Sequence, residues 1–212
     1  MTEKGKNQAE YWKALANRIV SPAETKNKRP DTSDLEIEFL KDYLKETNDI
    51  LDLGSGSGLI VNKLVDYVSS IIAVEKFESF TKFIVDDPKI TVINSDLIGF
   101  KIRRQFDAVL LFGVAQSFYK DDIIAIYKNI YNMIKPSGLF IIRIHCGLEE
   151  DILVDGFSEE LQTNYFAHFR QIDSEIKLLE EIGFKNIKKF DIFPDSLNVW
   201  ENSRHFLLVC EK

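Results

Sequence analysis

With 212 residues, 45% hydrophobic and 29% charged, the chain suits a single α/β domain with a sizeable core and a small lid. Its net charge of −7 argues against a general nucleic-acid binder, which would show a basic surplus or stripe. The polar opening Met1–Glu10 does not read as a signal peptide, and no run reaches membrane-span length. Two cysteines, Cys146 and Cys210, lie on or beside apolar runs and read as buried reduced thiols, so the expected setting is the cytoplasm. Three scattered histidines and no paired Cys spacing give a zinc site no support.

In chain order, residues 8–19 form an amphipathic helix candidate, with Tyr11, Trp12, Leu15 and Ile19 at helical spacing. From Val20 to Ser33 the chain turns polar, with Pro22, Pro30 and a Lys26, Lys28, Arg29 cluster, and reads as a loop that is mobile without ligand. Residues 1–33 would together make the lid, and 34–212 the main domain. Helical periodicity resumes over 34–46 through Leu35, Phe39, Leu40 and Leu44, with cap candidates at Asp31–Asp34. Then the chain alternates: strand 48–53, helix 57–67, a strand at Ile71–Val74 ending at Glu75, and a helix over 77–84. Strand 90–94, a turn at Asp96, strand 106–112, helix 121–134 and a strand from Leu139 to His145 follow. Such alternation implies a parallel sheet covered on both faces. Residues 146–170, acidic and then aromatic (Tyr165, Phe166, Phe169), break the rhythm as an insertion over the active site or a surface excursion. Helix 171–182 ends at Gly183, and strand 186–192 and a last strand at Arg204–Cys210 should pair as an antiparallel hairpin.

The organising stretch is Ile50-Leu51-Asp52-Leu53-Gly54-Ser55-Gly56-Ser57-Gly58, a strand broken by alternate glycines before a helical pattern. Glycines there would let backbone N–H groups approach a ligand at a helix N-terminus. A dinucleotide fingerprint needs Gly-x-Gly-x-x-Gly, but position 59 is Leu, and Asp52 suits a ligand with a cationic end. A Walker loop is excluded, because no Gly-Lys-Ser/Thr follows.

Asp-Leu-Gly-Ser-Gly-Ser-Gly over 52–58 resembles motif I of the class I S-adenosylmethionine (SAM) dependent methyltransferases. Ile134-Lys135-Pro136-Ser137-Gly138-Leu139-Phe140 resembles the family's turn before strand five, and Phe106 to Val114 its fourth strand. The resemblance implies a Rossmann-like, doubly wound, seven-stranded, mostly parallel sheet with a C-terminal antiparallel hairpin. It also implies SAM as cofactor. Gly54, Ser55, Gly56 and Gly58 would then meet the methionine portion, with Asp52 facing its amino group or sulfonium side. Glu75 would accept the ribose hydroxyls, a role that NAD sites share. Lys76 and Phe77 come next, with Phe77 against the adenine. Asp96 and Leu97 would reach the adenine ring, Phe112 and Gly113 would pass beneath the methionine chain, and Tyr11 would close from the lid.

On the acceptor side, His145 is the first base candidate, on an ordinary imidazole pKa of about 6.5, unless it only fixes the following loop. His205 is the second candidate catalytic imidazole. Gln116 and Tyr119, with Asn198, Trp200 and Arg204 from the segment Asn198-Val199-Trp200-Glu201-Asn202-Ser203-Arg204-His205-Phe206, are the candidate acceptor contacts. Arg143, Arg170 and Arg204 are available to an anionic group. Where N-methylating nucleic-acid enzymes carry Asn/Asp-Pro-Pro-aromatic, this chain reads Phe112-Gly113-Val114-Ala115. That favours an oxygen or nitrogen of a small molecule, such as a sugar or phosphorylated metabolite, with S-adenosylhomocysteine released. No nucleic acid or membrane partner is expected, and the protein would be a monomer or homodimer. The rivals are a SAM-binding sensor or partner subunit without catalysis, and an NAD-dependent oxidoreductase, which Leu59 and Asp52 disfavour.

Overall fold

The computed structural model describes residues 3–26, 29–198 and 200–212; Lys28 and Val199, named above, lie outside them. Its main sheet has seven strands: β1 (Asp49–Leu53), β2 (Ser70–Glu75), β3 (Ile90–Asn94), β4 (Phe106–Phe112), β5 (Ile134–Gly147), β8 (Lys185–Phe190) and β9 (Ser203–Glu211), in the order β3-β2-β1-β4-β5-β9-β8. The first five run parallel, and β9 inserts antiparallel between β5 and β8. This is the doubly wound sheet and terminal hairpin that the motifs implied.

Successive side chains on a strand point to opposite faces, so each strand feeds two cores. Leu51, Val74, Val109, Ile142 and Leu208 pack on one face with helices α5 (Lys120–Met133) and α6 (Ile172–Ile182). Ile50, Ala73, Leu110, Ile141 and Leu207 pack on the other with α2 (Ser33–Lys41) and the one-turn helix α3 (Val61–Leu64). The second face matters most here. Its parity carries Asp52, Phe112, Arg143, His145 and His205 to the sheet's upper rim, where the parallel strands end. Arg204 has the opposite parity.

A third, smaller core joins α1 (Glu3–Arg18) to α4 (Glu78–Thr81) and to a separate hairpin of β6 (Ile152–Ser158) and β7 (Thr163–Phe169). The Tyr11 ring lies 4.7 Å from that of Tyr165, tilted by 60°, and Arg18 bonds Glu160 at 2.9 Å. The excursion at 146–170 thus contains a two-stranded ribbon tied to the N-terminal helix.

Several expectations are corrected. The helix expected over 57–67 shrinks to Val61–Leu64 and a 3-10 turn at Val65–Tyr67, in a stretch whose β-branched Ile60, Val61 and Val65 pack poorly into a helix. The helix expected over 77–84 is likewise the single turn α4. On α2 the apolar face is rotated from the expected one: Leu35 is 40% exposed while Glu36 is 0% exposed beside Ile37 and Leu40. The loop after α1 holds a 3-10 turn, Pro22–Lys26, fastened to the glycine loop by Ser57 Oγ donating to Pro22 O at 2.9 Å. Cys146 and Cys210 are free and buried, with burial raising both thiols above their ordinary pKa. Among the described residues no helix is long and apolar enough to cross a membrane, and no metal-holding cluster of His, Cys, Asp or Glu occurs.

Candidate active site

A cavity of about 600 Å³ opens along the upper rim, within the size range of small-ligand sites. Strand order arranges its wall. The β3-β2-β1 side presents Asp96, Glu75 and Asp52, β4 contributes Phe112 and Gly113, and the β5-β9 side presents Arg143, His145 and His205. Neighbouring strands are about 4.8 Å apart and Asp52 is level with Leu110 and Ile141, so Arg143, two residues further along β5, has its backbone roughly 12 Å from that of Asp52 across the rim. Tyr11, Trp12, Thr25, Lys26 and Arg29 close the cavity from the N-terminal segment, and Phe157 and Tyr165 from the β6–β7 ribbon.

The glycine loop is built differently from the expectation. Gly54 and Ser55 donate their amides to Val74 O at 2.7 and 3.1 Å, and Gly58 donates to Ser55 O at 3.0 Å. Gly56 donates to Glu75 Oε2 at 3.0 Å. Those four amides therefore serve the protein, and the one-turn α3 adds no long helix N-terminus. The glycines matter for shape instead. A Cβ on Gly54 (φ 75°) would stand 2.6 Å from Val114, whereas one on Gly56 (φ 55°) would meet nothing within 4 Å and would project into open space. Gly58 packs against Ile84 and Asn62 and does not line the cavity.

Glu75 uses one oxygen for Gly56 and the other for the Phe77 amide at 2.9 Å. A carboxylate has about four acceptor sites, so each oxygen keeps one for a ligand. Burial raises its pKa against the pull of those amides. Asp52, 3% exposed, is pushed up to about 7 by burial, then by Glu75 and Glu36. Such an acid is near its midpoint at neutral pH, and an arriving cation would draw it to the charged form. Asp96 bonds Lys76 at 2.7 Å and the Ile98 amide at 2.9 Å, and Leu97 and Phe77 complete this end.

At the other end, His145 stacks on His205 with ring centroids 3.9 Å apart and lies parallel to Trp200 at 6.0 Å. Ser203 Oγ donates to Trp200 O at 3.1 Å, so its 3.1 Å contact with His145 requires Nε2–H to donate. His145 Nδ1 is then a bare lone pair, and it is buried without a partner. Burial, Arg29 and Arg143 hold this imidazole down at about 3, which corrects the expected ordinary value. His205 is lower still, at about 2, through burial and then His145, Arg143, Arg29 and Lys26. Both rings are neutral at physiological pH.

The remaining acceptor-side candidates divide. Gln116 lines the cavity with its Oε1 buried and unpartnered, and Trp200 lines it too. Asn198 stands behind, its Oδ1 accepting the His205 amide at 3.1 Å. Tyr119 lies outside the lining, against Phe166 at 4.2 Å. Arg204 faces away, bound to Asp191 and Asp195, and Arg170 is buried against Glu175 at 2.6 Å. Sequence reasoning missed Glu36, which bonds Arg143 at 2.9 Å, and left Lys26 and Arg29 as loop charges. The available signal was a glutamate spaced one turn from Leu40, on the face that α2 buries.

A family model described as a methyltransferase domain matches residues 26–189. The protein YqeM of Bacillus subtilis (strain 168), which carries a methyltransferase name, is 25% identical over 117 residues, covering 51% of this chain and 47% of that protein. The chain spans less than half the length of the curated relatives it matches, 47% and 41%. The structure of DhpI with S-adenosylhomocysteine (SAH) superposes with a TM-score of 0.72 at 16% identity, over 97% of this chain and 95% of that one. The glycopeptide N-methyltransferase MtfA does so with a TM-score of 0.65 at 16% identity, over 85% and 90%. At such identities the likeness to these structures is one of fold.

Proposed function

Because the chain belongs to the methyltransferase-domain family, we propose that it transfers the methyl group of SAM to an oxygen or nitrogen of a small-molecule acceptor in the cytoplasm. The observation that carries this reading is one cavity that has acids at the ends of β1, β2 and β3 and an arginine–imidazole cluster at the ends of β5 and β9. The residues fit the cofactor: Asp52 is a buried acid awaiting a cation, Glu75 keeps spare acceptor capacity, and Gly56 leaves the wall open.

SAM, when bound, supplies a methyl group on a sulfonium whose departing thioether needs no acid. The chain's own task is alignment and exclusion of water, effects that together supply several kcal/mol of a barrier, on the order of 7 or more for ideal orientation. Asp52 would pair with the cationic end, Glu75 with the ribose hydroxyls, and Asp96 and Leu97 with the adenine. Residues 1–33 and the excursion at 146–170 would act as lid and insertion, keeping bulk water from the rim. His145 Nδ1 can accept the hydrogen bond of an acceptor hydroxyl or amine. With its pKa near 3 it takes the proton fully only as the nucleophile's charge develops.

Calorimetric titration with SAM, S-adenosylhomocysteine and NAD tests the donor, and labelled-methyl transfer to a panel of sugars and phosphorylated metabolites tests the reaction. Tight NAD binding without SAM binding would overturn the reading. SAM binding with no transfer to any acceptor would point to a sensor or partner subunit.

A further inference from the structure

We propose that the acceptor carries an oxyanion, held between the Arg143 and Arg29 guanidiniums with the Lys26 ammonium beside them. The acceptor's part in this rests on the methyltransferase reading; the anion site itself does not.

Three cations line one end of the cavity, and their partners do not saturate them. Arg143, 8% exposed, forms an ion pair through Nη1 with Glu36 Oε1 at 2.9 Å, while its Nε is buried with no partner. Burying a guanidinium donor without an acceptor costs stability, so the orphan marks a place where a ligand atom completes the bonding. Arg29 is half-buried on the same wall, and its guanidinium makes no hydrogen bond or ion pair among the described residues. Lys26 is likewise half-buried with no such partner for its ammonium.

These charges are close enough to act on one another. Burial and then Arg143 lower the pKa of Lys26, and burial, then Arg29 and Arg143, lower that of His145. Against them on this wall stands Glu36, whose Oε1 pairs with Arg143 while its Oε2 has no partner. Asp31, which acts on Lys26 from outside the cavity lining, is the other nearby carboxylate. An arriving anion relieves this crowding. Guanidinium forks match the geometry of carboxylate and phosphate oxygens, and a neutral sugar would leave the charges facing one another. His145 Nδ1 on the same wall then faces a group tethered to the anion, which orients the acceptor toward β1.

The test uses the full chain without cofactor, titrated with inorganic phosphate and separately with acetate, while the His145 and His205 ring resonances are followed by NMR. Millimolar binding of either anion that moves both rings is expected, and the better binder identifies the anion class. Arg29→Gln, which breaks no ion pair, should weaken that binding about tenfold. The double variant Glu36→Gln/Arg143→Met, which avoids leaving a buried unpaired charge, should abolish it. Failure of both anions to move the rings, or binding unchanged in both variants, overturns the proposal. SAM binding in the same preparation separates the two readings. SAM bound with no anion response sinks the anion site alone, whereas anion binding without SAM binding sinks the methyltransferase reading alone.

Discussion

Two buried arginine–carboxylate pairs in this molecule look alike on paper and differ in completeness. Arg170 meets Glu175 through Nε and Nη2 at 2.6 and 2.9 Å, Tyr127 donates to the same carboxylate at 2.5 Å, and Ala115 O accepts from both Nη atoms at 3.3 Å. Every charge there is answered, and the network ties the Ala115–Ser117 turn to α5 and α6. Arg143 and Glu36 share one contact and leave Nε and Oε2 buried and unpartnered on the cavity. Stripping two ions of water is repaid only when the remaining donors and acceptors are also satisfied. The saturated pair therefore reads as a structural clamp, and the open pair as part of the proposed binding site.

The comparison breaks most visibly at the clamp. Glu175→Ala should cost about 3–5 kcal/mol of stability by leaving Arg170 unpaired, measured by denaturant unfolding, while SAM affinity of the folded protein holds. If stability hardly changes, the clamp has been misread. At the open pair the loss should fall on function: Glu36→Gln/Arg143→Met should lower kcat/KM for the acceptor about a hundredfold, in line with the roughly 1.5–3 kcal/mol of a hydrogen bond to a charged group. Its SAM affinity should stay near wild type, and a loss shared equally by SAM would mean the pair merely shapes the cavity.

Asp52 would read out the proposed cofactor end. Its pKa lies above the unfolded 3.8, so the folded apo-protein holds the extra proton between about 4 and 7. Stability thus falls as pH rises through that window, by about 4 kcal/mol at most, and is level above it. A cationic ligand needs the ionised form. SAM affinity should rise about tenfold per unit up to pH 7 and then flatten, whereas Asp52→Asn should bind well over tenfold more weakly at pH 8 with little pH dependence. The histidines give the smallest effect. Their folded pKa values lie below the ordinary 6.5, so stability is full above that pH and is lost as pH falls toward 3. At pH 5.5 each should account for about 1.4 kcal/mol, and acid unfolding of His145→Gln should show a shallower slope over that range.

How much of this was legible can be traced residue by residue. Continuous apolar runs separated by helices and the Asp52-to-Gly58 loop determine the parallel strands, their order of appearance and the family, because apolar runs and glycine turns are local properties of the chain. The same local reasoning put Leu35 on the buried face of α2 and treated Arg143, Arg170 and Arg204 as equivalents. Tertiary structure decided otherwise: Glu36 is buried because Arg143, from a strand more than a hundred residues later, meets it there. β9, slipped between β5 and β8, sets the parity that turns His205 toward the cavity and Arg204 away from it.

The glycine loop shows the same division. Its glycines announced a turn beside a ligand, yet whether an amide there is free depends on Val74 O and Glu75 of the adjoining strand. The fold was legible in the sequence alone, and so was the rim at which the site is proposed. Which donors stay unpaired, and hence what that site can hold, depended on partners that only the closed sheet brings together.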